Sequence, residues 1–269
     1  MSFRLLDMEW VAQADNFQDL EKQLAGAKAD LLALRASESL AQRAAGGDAS
    51  ELEEKLSAYV KAALRKGVPP LFVDLRPLYA EPEKFQLIEK MMTDFLTNLQ
   101  SVSSFETSGS PAETPTTLLW TYYYLSQHHD SKGDYQLALD LINAAIEHTP
   151  TLIELFLLKG KIYKHAGDPE EAVKWLDEAQ SMDTADRYIN CKAAKYLLRA
   201  DKVQEAEVMC GKFTREGVPP MDNLNEMQCM WFQCECALAF QRQGQFGELS
   251  LIHISEPTRQ EAISYAVFC

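Results

Sequence analysis

The chain has 269 residues, with 26 Lys and Arg against 40 Asp and Glu, a formal net charge of −14. That balance excludes a general nucleic-acid grip, which needs Lys and Arg clustered over a broad face, while 46% hydrophobic residues supply enough apolar material for one or two globular domains. No apolar run approaches the roughly 18 residues of a membrane span, and Met1 to Asp7 lacks the core of a secretory signal, so no membrane segment is expected and the expected compartment is the cytoplasm.

Residues 1–50 read as a poorly patterned helical segment, with amphipathic spacing over 17–45 (Leu20, Leu24, Leu31, Leu34) broken at Gly46-Gly47. Ser50, with Glu53 three positions on, has capping-box spacing and predicts a helix start. That helix is expected to run to about Lys66, where Gly67-Val68-Pro69-Pro70 stops it, because Pro cannot continue the hydrogen-bond ladder. Another helix is predicted over 83–99, so that 51–100 forms helical pairs, and 101–114 reads as a polar linker. Thr114-Pro115 restarts the chain as N-cap and first-turn proline.

An internal repeat follows. Gly133-Asp134 and Gly167-Asp168 lie 34 residues apart, as do Ala138, Ala172 and Ala206, and 34 residues is the tetratricopeptide period. Small residues at such fixed places let two helices cross closely, with large ones filling the gaps beside them. The expected fold is therefore all-α, a tetratricopeptide α-solenoid of antiparallel helix pairs, with units at about 117–150, 151–184, 185–218 and 224–248. The third unit is worn, keeping Ala194 and Ala206 but placing Phe213 where Ala stands in the others.

Residues 249–269 depart from this pattern. Leu249-Ser-Leu-Ile-His-Ile-Ser-Glu-Pro-Thr-Arg259 is similar to a translated transposase-type sequencing adapter. After it the adapter frame demands a residue whose codon begins with C, two free residues, then Ile-Ser-Tyr-Ala-Val-Phe-Cys. Gln260, Glu261, Ala262 and Ile263 to Cys269 meet that demand, so the segment is expected to be an artefact, and His253 and Ser255 carry no weight as base and nucleophile.

The words inside the repeats are more specific than their period. Pro115-Thr-Thr-Leu-Leu-Trp120, Thr149-Pro-Thr-Leu-Ile-Glu-Leu155, Lys161-Ile-Tyr-Lys-His-Ala-Gly167, Asp183-Thr-Ala-Asp-Arg187 and Asn225-Glu-Met-Gln-Cys-Met-Trp231 closely resemble the auxiliary subunit family of the N-terminal acetyltransferase A (NatA) complex. Lys66-Gly-Val-Pro-Pro-Leu-Phe72 and Leu75-Arg-Pro-Leu-Tyr79 also fit it, so the resemblance covers about 55 to 248 and leaves out 1–50. Members of that family are several times longer, so the chain is expected to be an interior fragment. The resemblance implies a non-catalytic scaffold that binds the acetyltransferase catalytic subunit and tethers it to the ribosome, with the chemistry in that partner. No phosphate-cradling loop and no nucleophile triad is visible in the repeats, and no catalytic residue is assigned.

Helix A faces of stacked repeats line the concave binding surface. The repeat register puts Lys161, Lys164 and His165 on the inward side of one helix A, and Lys192, Lys195 and Arg199 on that of the next, with Arg187 nearby. In so acidic a chain, such a cluster calls for a bound anion or for neutralising carboxylates. The resemblance implies the anion, inositol hexakisphosphate, as a structural ligand of these seven residues, and no covalent cofactor. Each phosphate would take charge-assisted hydrogen bonds from Lys or Arg.

Other residues read more plainly. Trp120 and Tyr122-Tyr123-Tyr124 are expected in the repeat core and rim, Trp231 and Phe232 between the fourth and third units, and His128-His129-Asp130 on a helix surface. Cys229, Cys234 and Cys236 have C-x4-C-x-C spacing with no His at ligand distance, so reduced thiols are expected and no metal. The alternative function is a generic tetratricopeptide adaptor for a peptide of a chaperone or other partner. Its carboxylate clamp would need an inward Asn pair that this basic set lacks. An enzyme would need chemistry in 1–50, which offers Asp and Glu without His or Cys.

Overall fold

A 34-residue spacing of small residues is the feature on which the helices of the computed structural model close. The structure describes Gly26, residues 49–106 and residues 112–248. The amphipathic reading of 17–45 and the adapter-like stretch 249–269 lie outside the described residues. Among the described residues every regular element is helical, the all-α class expected. None of these helices is long and apolar enough to cross a membrane. The chain divides after Pro150 into two compact units.

In the first unit, α1 (Ala49–Lys66) leads through a short α2 (Leu71–Leu75) and a 3-10 turn (Arg76–Ala80) into α3 (Pro82–Val102). Ala49 is already helical, so Ser50 lies within α1 and not at its N-cap position. Helices α4 (Pro115–Lys132) and α5 (Tyr135–His148) form the first repeat. Thr114 precedes α4 with extended backbone, yet its hydroxyl bonds to those of Thr116 (2.9 Å) and Thr117 (3.1 Å) instead of capping an amide. The linker is pinned at both described ends. Glu106 pairs with Lys61 at 3.0 Å, Glu113 takes a bidentate grip from Arg65, and Phe105 is buried against Phe95.

The second unit contains α6 (Ile153–Ala166), α7 (Pro169–Met182), α8 (Arg187–Arg199), α9 (Val203–Gly211), α10 (Pro220–Glu226) and α11 (Met230–Gln243). Helix α6 packs on α7, α7 on α8, and α8 on both α9 and α11. The two-residue turns joining α4 to α5 and α6 to α7 make these pairs antiparallel.

The period has a direct physical meaning. Ala138, Ala172 and Ala206, each in the second helix of its pair, are all fully buried. Opposite them, Ser126, Gly160 and Ala194 recur at the same spacing and are buried too. Ser126 Oγ donates to Ala138 O at 2.9 Å. At Gly160 a Cβ atom would lie 2.0 Å from Leu176 Cδ2 and 3.1 Å from the carbonyl oxygen of Ala172, so α6 and α7 touch backbone to side chain. The left-handed residue that ends the first helix also repeats, at Gly133 (φ 90°), Gly167 (φ 88°) and Asp201 (φ 62°). In each case the next residue's amide reaches back five positions, as from Asp168 to Tyr163 O at 2.9 Å and from Lys202 to Leu197 O at 2.9 Å.

The third unit departs from the pattern. Helix α9 stops at Gly211, where Pro220 packs so closely that a Cβ would meet its ring at 3.0 Å. Phe213 therefore lies beyond the helix instead of continuing it. Residues 212–229, holding α10, intervene before α11, whose first turns carry Trp231 and the fully buried Phe232 into the core shared with α8 and α9.

Candidate functional site

Helical spacing places Lys161, Lys164 and His165 on one stripe of α6, and Lys192, Lys195 and Arg199 on one stripe of α8. Lys161 and Lys164 are half-buried, His165 and Arg187 are exposed, and Lys192, Lys195 and Arg199 are half-buried. Lys195 Nζ and an Arg199 guanidinium nitrogen converge on one carboxylate oxygen of Glu235, at 3.1 and 3.4 Å. Glu235 comes from α11, and its side chain is mostly buried. Two cations thus share one anion, leaving one positive charge uncompensated within that trio. Lys192 lies 5.0 Å from the ring centroid of Tyr188, a cation–π contact one turn earlier on α8. Desolvation holds the Cys191 thiol above its ordinary pKa, opposed by the charge of Arg187 on the same helix.

A more deeply buried cation was not expected. Lys159, 6% exposed, points its ammonium at the ring of Trp175, 3.3 Å from the centroid. Desolvation lowers its pKa, opposed by the charge of Glu171. Lys159 shares the apolar stripe of Leu155 and Ile162, a pattern that marks a helix position as buried whatever residue fills it.

The expectation for His128, His129 and Asp130 is overturned: their exposures are 0%, 7% and 7%. Side chains of the 3-10 turn and α3 pack over this stretch of α4. His128 Nδ1 lies 2.7 Å from the Tyr79 hydroxyl, which lies 3.0 Å from that of Tyr124. Its ring stacks on Phe85 at 4.7 Å, and its Nε2 is 3.8 Å from Glu89. Glu89 is held in turn by Lys132 at 2.8 Å, and Lys132 reaches Asp134 at 3.3 Å. Burial, reinforced by the neighbouring His129, depresses the His128 pKa to about 4, so it is neutral at physiological pH. This network ties α3 and the 3-10 turn to α4.

Two of the thiols are shielded. Cys210 and Cys236 are buried in the second unit's core, and desolvation pushes both up to about 12. Cys234 is exposed, so the C-x4-C-x-C residues do not share one environment. Among the described residues, no group of three or more His, Cys, Asp or Glu is placed to hold a metal ion.

Comparison with known proteins bears on most of the chain. The family model described as N-terminal acetyltransferase A, auxiliary subunit, matches residues 13–254, starting upstream of the words that carry the resemblance and ending inside the stretch 249–269. N-alpha-acetyltransferase 16, NatA auxiliary subunit, of Homo sapiens is 55% identical over 196 residues, which is 72% of this chain and 23% of that protein. The N-terminal acetyltransferase A complex auxiliary subunit NAA15 of Arabidopsis thaliana is 44% identical over 195 residues, 72% of this chain and 22% of the relative. Among solved structures, that of Naa15/Naa10 bound to HypK-THB superposes with a TM-score of 0.69 and 29% identity, covering 89% of this chain and 35% of the other. The chain spans about a quarter of the length of these curated relatives.

Proposed function

Because the chain belongs to the family of N-terminal acetyltransferase A auxiliary subunits, we propose that it serves as a non-catalytic scaffold, which binds an acetyltransferase catalytic subunit and tethers it to the ribosome in the cytoplasm. The observation that carries this reading is the likeness to Naa15 in a structure described as holding Naa10 as well. Stacked helix pairs suit such a role, since each pair contacts only its neighbours and leaves an extended face for a partner. Acetyl transfer itself is assigned to the partner. The direct test is co-elution of the purified chain with a purified Naa10-type catalytic subunit in size-exclusion chromatography. A mixture that elutes as two separate components, while a chaperone C-terminal peptide binds, would favour the adaptor reading instead.

The basic residues of α6 and α8 are proposed to hold inositol hexakisphosphate as a structural ligand. The support is local: Lys195 and Arg199 share a single carboxylate, and Lys192 rests on an aromatic ring. Both arrangements leave positive charge for phosphate oxygens to meet. Calorimetry with inositol hexakisphosphate is expected to show binding that Lys161→Glu combined with Lys195→Glu abolishes; unaltered affinity removes the assignment.

A further inference from the structure

By the 34-residue period the helix that follows α8 and α9 would start about nine residues before α11 does, and the stretch 212–229 that takes up the difference builds a cleft of about 420 Å³ lined by Phe213, Thr214, Arg215, Asn223, Glu226 and Met227. Three of its side chains are uncommitted. Asn223 is 3% exposed, and its backbone groups are used by the bonds from its amide to Pro219 O and from the Met227 amide to its own carbonyl. Its carboxamide makes no hydrogen bond to a described residue, and it is part of the cleft lining, where its donors and acceptor are open to an incoming group. Arg215 and Glu226 are both exposed, line the same cleft, and form no ion pair with a described residue. The apolar lining is Phe213, half-buried, and Met227, 46% exposed.

We propose that this cleft docks an extended peptide segment of a partner protein, which sets an apolar side chain against Phe213 and Met227 and offers a backbone peptide group to the Asn223 carboxamide. A carboxamide carries one acceptor oxygen and two donor hydrogens, so it meets the N–H and C=O of an extended strand at once. A helical segment has already committed those groups to itself. Arg215 and Glu226 then select the flanks, an acidic residue toward the guanidinium and a basic one toward the carboxylate. The flexible thioether of Met227 accepts apolar side chains of different shapes, as methionine does on adaptable binding surfaces.

Short random peptides displayed on phage and panned against the 269-residue chain test this. The selection is expected to converge on an apolar residue with an acidic neighbour on one side and a basic one on the other. For the enriched peptide, made synthetically, Met227→Glu is expected to weaken binding about tenfold or more, the scale of one misfitted apolar contact. Asn223→Asp removes the carboxamide donors and should weaken it similarly. Met227 is nearly half exposed, so the Met227→Glu chain is expected to keep its helical circular dichroism and separates lost docking from lost folding. Repeating the selection on Arg215→Glu is expected to replace the acidic flank with a basic one. The proposal is overturned by a selection without consensus, or by a peptide whose affinity ignores Met227→Glu and whose flank ignores Arg215→Glu. It is equally overturned if sedimentation shows these substitutions dissolving a dimer, which would make a second copy of the chain the occupant.

Discussion

Replacing Gly160 by Ala isolates the closest helix crossing in the second unit. On an open helix this change is favourable by about 1 kcal/mol, because Ala loses less backbone entropy on folding. At this position the new methyl would lie 2.0 Å from Leu176 Cδ2, well inside the roughly 3.5 Å of carbon contact, and 3.1 Å from the Ala172 carbonyl oxygen. Leu176 is 1% exposed and cannot turn outward, and the carbonyl belongs to the α7 backbone and cannot turn away at all. Overpacking of this kind costs about 1–3 kcal/mol, sometimes more. The 2.0 Å approach puts this site in the upper part of that range, about 2–3 kcal/mol, and with the propensity gain set against it the expected net loss is about 1–2 kcal/mol, read as a lowered urea midpoint in circular dichroism. Leu176→Ala alone opens a cavity costing about 2–5 kcal/mol. Combined with Gly160→Ala it should cost less than the sum, since the second methyl fills space the first change vacates, with a coupling of about 1 kcal/mol or more. A Gly160→Ala chain as stable as the parent, or a strictly additive double-mutant cycle, would refute the reasoning.

Other consequences follow from the same contacts. His128 has a folded-state pKa near 4 against an ordinary 6.5. A base with a depressed folded pKa is held neutral by the fold, so its contribution is complete above about pH 6.5 and is lost as pH falls toward 4. The shift corresponds to at most about 3 kcal/mol, and His128→Gln should flatten the stability-versus-pH curve in that window; an unchanged slope contradicts it. Arg65→Ala removes the bidentate grip on Glu113, a partly exposed pair worth about 1 kcal/mol, and should speed proteolytic nicking within 103–114. Glu235→Gln leaves Lys195 and Arg199 without their shared carboxylate, so calorimetry with inositol hexakisphosphate should show tighter binding if those two residues are ligands, and no change if they are not.

What the sequence made legible is what depends on local spacing. The burial of Ala138, Ala172 and Ala206 follows from one small residue per period, and the left-handed turns at Gly133 and Gly167 from glycine placed after a helix. What it concealed depends on partners far along the chain. Lys195 and Arg199 form a visible stripe, but the carboxylate they share sits in the next repeat, displaced by an insertion that breaks the period. The His128 stretch looked like surface because its residues are polar. Tyr79 of the 3-10 turn and Phe85 and Glu89 of α3, none of which belongs to the repeat, close over His128. The insertion cleft has no periodic signature, and Asn223 within it resembles any other loop asparagine until its burial is known.

Asp201 has a consequence for the order in which the chain acquires structure. Its counterparts are glycines, which enter the left-handed region with little strain, so those turns close from residues a few positions away. Asp201 has a Cβ that resists the same geometry. Beyond the local bond from the Lys202 amide to Leu197 O, it is held from a distance, its carboxylate accepting from Arg242 Nε at 2.8 Å and its carbonyl from the Gln243 side chain, while Arg242 also donates to Leu198 O. Local contacts form quickly, and those that close long loops form late. During synthesis, the α6–α7 turn can therefore be complete as soon as it is made, whereas the α8–α9 turn gains its last ties only with residues 242 and 243, some forty positions downstream. The third repeat is a late-forming joint, and stalling or cleavage of the chain before Arg242 leaves its turn unlatched.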